Sequence, residues 1–550
     1  MNGGPGLTNA VESKRANREA ILAQYPDWRP DLSRGIPNDV SSCTLSRLSP
    51  REVEIVHLDA TALLEHIHRG EYSAVDVIIA HSKAAVAAQD LTNCLTEIFI
   101  EQALRRAREL DEIFQQTGQV IGPLHGLPIS IKDHMKVKGL DTSSGYVAWA
   151  GKTVAEDDAV IVDVLKKAGA IFYVKTANPQ SLLSLETHNN IFGRTFNPFN
   201  RTLSPGGSSG GESALIASHG SPIGIGSDIG GSISSRSTLR SLWAQASVAR
   251  IPHAGLMGSH DGMDNIVGAL GPLARSARDL ALFHRVLLGA ESWLLEYAVL
   301  HMPWRDDIVK GLGVPEKLTI AVLADDGVVR PHPPLLRALE NYKKALVAAG
   351  HEVIDWIPFK HHESWELLLK FYFLDGGAEY RETLAEGKEE ATPSFSWILE
   401  QCGGRAYTIR EMWQLNVERD RYRAQALAHW NDTQNRTRSG RPVDAILTPT
   451  FATLAPPHDS TRWWGYSSYW NLLDLPGVRP LTACLRAKPS RGYIRNQWDP
   501  TTYEGAPISL QLIGRRHQEE LLLAILNQVE AAAKLYTKHG PSEQTSLEMV

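Results

Sequence analysis

Ser204-Pro205-Gly206-Gly207-Ser208-Ser209-Gly210-Gly211-Glu212-Ser213 is followed, after an apolar segment, by Gly226-Ser227-Asp228-Ile229-Gly230-Gly231-Ser232-Ile233-Ser234. Glycine at this density belongs where a backbone turns tightly or approaches another group closely. Ala214-Leu215-Ile216-Ala217, between the two runs, is small and apolar, which suits a helix packed hard against a sheet. A helix that opens after such turns aims free backbone N–H groups at whatever binds in front of it. Two seryl clusters, Ser208-Ser209 and Ser232, are set in this glycine framework.

Three familiar glycine motifs fail here. A Walker loop requires Gly-Lys-Ser/Thr, and the stretch holds no lysine. The dinucleotide fingerprint requires Gly-x-Gly-x-x-Gly, and Gly224-x-Gly226 lacks the third glycine at that spacing. Gly206 to Gly210 fits the Gly-x-Ser-x-Gly of a nucleophile elbow, which needs a strand just before the serine. Asn197-Pro198-Phe199-Asn200-Arg201-Thr202-Leu203-Ser204-Pro205 reads as loop instead.

A joint pattern does fit. Gly206 to Glu212, followed by Asp228-Ile229-Gly230-Gly231-Ser232-Ile233, resembles the signature of the amidase signature family. Upstream, Gly126-Leu127-Pro128-Ile129-Ser130-Ile131-Lys132-Asp133 supplies the turn, short apolar strand and terminal lysine found in that family. Lysine, serine and serine occur in the family's order, and Ser208 and Ser232 have its separation. Gly122-Pro123-Leu124-His125, Gly193-Arg194-Thr195, Pro331-His332-Pro333-Pro334, Asn471-Leu472-Leu473-Asp474 and Ile513-Gly514-Arg515-Arg516 look like fungal acetamidase-type amidases. The resemblance runs from about Leu58 to Ala532. It implies an α/β fold with a large mixed β-sheet sandwiched between helices. It also implies hydrolysis of small monocarboxylic amides by a Ser-Ser-Lys triad, with no cofactor and no catalytic histidine.

The resemblance carries roles onto residues. Amide hydrolysis needs a nucleophile, a proton acceptor, oxyanion donors and an acid for the departing amine. Ser232 takes the nucleophile's place in the motif, and Ser208 bridges it to Lys132. The N–H groups of Ile229, Gly230, Gly231 and Ser232 are the candidate oxyanion donors, because glycines leave them sterically open. Lys132 has to be neutral to accept a proton, and burial beside Ile129 and Ile131 would favour that form. Ser209, Asp228 and Arg194 are candidates for binding substrate or supporting the triad. A turn cap or a salt bridge accounts equally well for Asp228 and Arg194.

Composition sets the frame. The 550 residues are 43% hydrophobic and 21% charged, with a net charge of −6, which supplies a large core and argues against nucleic acid. Cys43, Cys94, Cys402 and Cys484 are scattered without a Cys-x-x-Cys pair, so neither a zinc site nor a disulfide framework is expected. His361-His362-Glu363 are adjacent, and neighbours on a helix point apart, so no metal is expected there either. Met1 to Glu19 is polar and no apolar run approaches a membrane span, so a cytoplasmic protein with a small-molecule amide partner is the expectation. The oligomeric state is left open, homo-oligomers included.

In chain order, residues 1–57 read as an N-terminal arm with one helix, and residues 58–550 as a single amidase domain. Strand–helix–strand rhythm surrounds Lys132: a strand ending there, a helix over Asp158 to Ala168, and a strand over Ala170 to Lys175. Residues 361–440 are helical and rich in Trp and Tyr, and form an insertion or cap. Trp463-Trp464 can line a pocket or simply pack.

Two rivals share the fold. One is a non-catalytic or impaired relative; the other is an amidotransferase subunit that hydrolyses glutamine. Impairment is raised by the sequence itself. After the nucleophile the family continues as Gly-Ser-Ile-Arg, a Pro-Ala pair and a Gly-x-Tyr-Gly-x-Lys/Arg-Pro strand. Here Ser234-Ser235-Arg236 and the residues up to Ala249 depart from it, and Arg250-Ile251-Pro252 resumes it. Codons for Arg240 to Ala246, read one nucleotide later, can spell Gly-Leu-Tyr-Gly-Leu-Lys-Pro. A local frameshift over about 234–249 is the expectation, with a polar, charged strand beside the nucleophile as its cost.

Overall fold

The computed structural model describes residues 5–233, 242–480 and 498–539. Thirteen strands are named along the chain: β1 Leu95–Ile98, β2 Pro128–Lys132, β3 Ile171–Thr176, β4 His188–Asn189, β5 Gly193–Arg194, β6 Ile223–Asp228, β7 Leu242–Gln245, β8 Ala269–Ala274, β9 Thr319–Val322, β10 Glu352–Asp355, β11 Ala445–Pro449, β12 Gly477–Val478 and β13 Leu510–Ile513. Eleven of them form one sheet in the order β1-β3-β2-β6-β8-β7-β12-β13-β11-β9-β10, while β4 and β5 make a separate hairpin. The sheet is mixed. β2 runs parallel to both β3 and β6, and β8 is antiparallel to β6 and β7.

Strand period explains the layers. Along β2, Ile129 and Ile131 enter the principal core, while the alternate residues turn the other way, Ser130 to Glu212 of helix Gly210–Ala217 and Lys132 to Ser208 just before that helix. Glu212 on that helix accepts from Ser130 Oγ at 2.6 Å and from Thr176 Oγ1 of β3 at 2.8 Å. One buried carboxylate thus ties the helix to two strands. Parallel pairing of β2 with β6 brings their carboxyl ends to one edge of the sheet, where ligands bind in open α/β sheets.

Two central strands were not legible in the sequence. β6 contains Gly224 and Gly226, and β8 contains Gly271 and Pro272, residues that usually argue against a sheet interior. Close approach is the reason for two of them. A Cβ on Gly224 would lie 1.9 Å from Glu212 Oε2, and one on Gly271 would lie 1.8 Å from the Ala244 carbonyl oxygen.

The arm is packed against the body. Helix Pro5–Leu22 carries Lys14, which pairs with Glu97 and with Asp141 at 3.0 Å, and Arg18, which donates to the Leu95 carbonyl at 2.7 Å. Ile55 and Val56, from helix Pro50–His57, belong to the same core as β2. Residues 361–440 form helices His361–Tyr372, Ala378–Glu386, Pro393–Gln401 and Ile409–Asp432, which share a second, aromatic core with helix Gly465–Leu473.

The segment that departs from the family pattern divides here. Residues 234–241, with Arg236 and Arg240, lie outside the described residues. The rest is described: Leu242-Trp243-Ala244-Gln245 is β7, buried along its length and paired with β8 and β12. This strand leaves one polar group unpaired: the Trp243 indole N–H is buried without an acceptor among the described residues. No described helix is long and apolar enough to cross a membrane.

Candidate active site

Lys132 ends β2 and is fully buried. Its Nζ donates to Ser208 Oγ at 2.6 Å and to Ser227 Oγ, on the neighbouring strand β6, at 2.8 Å. Both of these acceptors are neutral hydroxyls. Ser208 stands just before Ser209, the residue that opens helix Gly210–Ala217, and the peptide bond Gly207–Ser208 is cis. Gly207 before it is required by packing. A Cβ on Gly207 would lie 2.6 Å from the Glu186 backbone nitrogen.

Ser232 is buried in the turn that follows β6. Asp228 organises that turn. Its Oδ1 accepts from the N–H of Gly230 at 3.1 Å and of Gly231 at 2.5 Å, and its Oδ2 from the N–H of Ile233 at 2.5 Å. Two of the four expected oxyanion donors are therefore engaged by Asp228. The turn itself needs glycine: Gly231 has φ +124°, and a Cβ there would lie 2.2 Å from Ser467 Oγ.

Three residues that sequence reasoning missed hold this turn from outside. Asn471 Nδ2 donates to Asp228 Oδ1 at 3.0 Å, and Ser467 Oγ donates to the Gly230 carbonyl at 3.2 Å. They sit one helical turn apart on Gly465–Leu473, a polar i, i+4 pair between aromatic neighbours, which is a signal that could have been read. Tyr372, from helix His361–Tyr372, donates to the Ile229 carbonyl at 2.7 Å. Burial, and then the charge of Asp228, push its phenol well above the ordinary value, so it stays a donor. Nothing local in the sequence marks it. Ser227 was missed as well; it faces Lys132 only because β6 pairs with β2.

The remaining candidates resolve differently. Ser209 is fully buried, and its Oγ approaches the Ser227 carbonyl at 3.5 Å. Arg194 is in an ion cluster with Asp459 at 2.5 Å and Glu186 at 3.6 Å, joining the β4–β5 hairpin to the loop at 458–459. That is the salt-bridge alternative. Asp133, beside Lys132, is buried and takes hydrogen bonds from Thr96, Ser143 and the Ser144 N–H, bracing the loop that follows β2. Trp464 packs near Gly230, with Cε3 3.6 Å from where a Cβ would stand. His361 stacks on Tyr469 at 3.9 Å, and burial holds its imidazole down at about 4. Among the described residues, no group of three or more His, Cys, Asp or Glu could hold a metal ion.

Comparison with known proteins shows the family. The model of the Amidase family matches residues 76–523. The chain belongs to the amidase family. It is 39% identical to an acetamidase of Emericella nidulans over 95% of this chain and 98% of that one. It is also 39% identical to an acetamidase of Aspergillus oryzae, over 88% and 91% respectively. Among solved structures it resembles a fatty acid amide hydrolase with a TM-score of 0.88 and 33% identity, over 96% of this chain and 95% of that one. The chain is thus an amidase, built as a large mixed sheet between helices.

Proposed function

We propose that this amidase hydrolyses small monocarboxylic amides to carboxylate and ammonia through a Ser-Ser-Lys triad and an acyl-enzyme. The observation that carries the reading is the 2.6 Å contact between the Lys132 amine, buried at the end of β2, and Ser208 Oγ. Ser232 Oγ attacks the amide carbonyl carbon. Its proton passes to Ser208, and the Ser208 proton passes to a neutral Lys132.

The oxyanion forms at the Ile229–Ser232 turn, where the N–H groups of Gly230 and Gly231 are shared with Asp228. Collapse breaks the C–N bond, and the proton returns through Ser208 to the leaving nitrogen, releasing ammonia. Water then cleaves the acyl ester by the same relay in reverse. Acetamidase relatives at 39% identity support the small-amide substrate class. Cys43, Cys94 and Cys402 are free thiols, which supports the cytoplasm as its location.

Ammonia release by the purified chain from acetamide, phenylacetamide and glutamine tests the reading. Turnover of acetamide is expected. Turnover of glutamine alone would favour the amidotransferase alternative, and none at all would favour the impaired relative.

A further inference from the structure

A cavity of about 280 Å³ lies between helix Ile409–Asp432, helix Gly465–Leu473 and residues 515–516. Its wall is aromatic and apolar, with Trp430, Tyr469, Trp470 and Leu475 among the lining residues. Arg423, Arg515 and Arg516 also line it, against a single acid, Asp474. That acid is already committed: it pairs with Arg516 and accepts from the Val248 N–H at 2.7 Å.

The other two arginines are under-used. Arg515 has no hydrogen-bond acceptor among the described residues; its guanidinium lies 5.0 Å over the Trp430 ring. Asp444, whose charge it feels, accepts instead from the Thr319 N–H and pairs with Arg441. Arg423 donates from Nε to the Leu472 carbonyl at 2.7 Å, and its two terminal nitrogens have no acceptor among the described residues. Burial holds both guanidinium groups below their ordinary value.

We propose that this cavity is a second ligand site that takes an amphiphilic carboxylate, an aryl or short alkyl acid. The carboxylate is held by the Arg515 and Arg423 forks, and the apolar body lies on Trp430, Tyr469 and Trp470. The volume is at the small end of ligand pockets and suits one ring or a short chain. Amide hydrolysis releases acids of this class. Helix Gly465–Leu473 gives the site a route to the catalytic turn, because Tyr469 and Trp470 line the cavity while Ser467 and Asn471 hold Gly230 and Asp228.

The test uses the full chain carrying Ser232→Ala, with 3-phenylpropanoate as probe and 3-phenylpropan-1-ol as its neutral counterpart. Tryptophan fluorescence and calorimetry should show the acid binding at least tenfold more tightly than the alcohol. Arg515→Gln should cost at least tenfold in affinity and Arg515→Lys less. Leu427→Glu, at an exposed position on the cavity rim that tolerates change, should weaken the acid and spare the alcohol. These readouts need no turnover, so they stand or fall apart from the proposed amide hydrolysis.

In the chain without Ser232→Ala, saturating acid should change kcat for acetamide at least twofold, and Arg515→Gln should abolish that change. Equal affinity for acid and alcohol, no binding, or binding indifferent to both Arg515→Gln and Leu427→Glu would overturn the site. An unchanged kcat under saturation would overturn its link to the catalytic turn.

Discussion

The Tyr372 hydroxyl donates to the Ile229 carbonyl oxygen at 2.7 Å, so helix His361–Tyr372 is hydrogen-bonded directly to the turn that carries Ser232. Tyr372→Phe keeps the packing and deletes this one bond. The expected result is a fall in kcat of about five- to tenfold, the rate equivalent of roughly 1 kcal/mol. The melting temperature should move by only a few degrees, so a kinetic loss without a thermal one separates positioning from folding.

The proton relay predicts an ordered serine series. Ser232→Ala and Lys132→Ala should remove essentially all turnover, and Ser208→Ala should be severe, because the three act as one unit. Ser209→Ala should be mild. With Lys132 as the neutral base of the proposed relay, kcat/KM should rise with pH from about 6 to about 9. EDTA should leave the rate unchanged. A rate that falls over that range, or one that chelation removes, would contradict the relay.

Gly271→Ala should be strongly destabilising, by several kcal/mol, since its Cβ would stand 1.8 Å from the Ala244 carbonyl oxygen in the sheet interior. Gly268→Ala is the control. Its Cβ would meet nothing closer than 3.6 Å, and the change should stay within about 0.5 kcal/mol. Denaturant midpoints of the two variants decide the matter.

Acid should unfold the protein through buried histidines. Burial lowers the imidazole of His81 to about 3 and those of His219, His332 and His361 to about 4, from an ordinary 6.5. His219 Nδ1 also lies 2.8 Å from the Arg275 guanidinium, a contact that suits only the neutral ring. Between about pH 4 and 6.5 the unfolded chain binds more protons than the native one, so stability rises with pH across that window. The melting temperature should therefore drop steadily as pH is lowered from about 6.5 to about 4. A flat profile there would show that these rings are solvated.

Rewriting residues 240–246 as Gly-Leu-Tyr-Gly-Leu-Lys-Pro should raise both melting temperature and turnover. The change removes the buried Trp243 N–H that lacks an acceptor among the described residues. Sequencing the transcript tests the origin. Codons that cannot spell this strand one nucleotide later would end the frameshift explanation.

The sequence alone determined the family and pointed to the three residues of the proposed relay. Those parts are local: glycine turns, a serine before a helix and a lysine closing an apolar strand are each written within about ten residues. It also marked most elements around Lys132, where apolar period and turn residues agree. Tertiary structure decided what surrounds them. Ser227 meets Lys132 by strand pairing, and Asn471 reaches Asp228 across 243 residues. β6 and β8 carry glycines and a proline that argue against sheet interiors, and close packing of Glu212 and the Ala244 carbonyl accounts for Gly224 and Gly271. Arg194 shows the same limit from the other side. Its charge was plain in the sequence, but only the fold placed it with Asp459 and Glu186, because the partners of a charged side chain are set by which loops the sheet brings together.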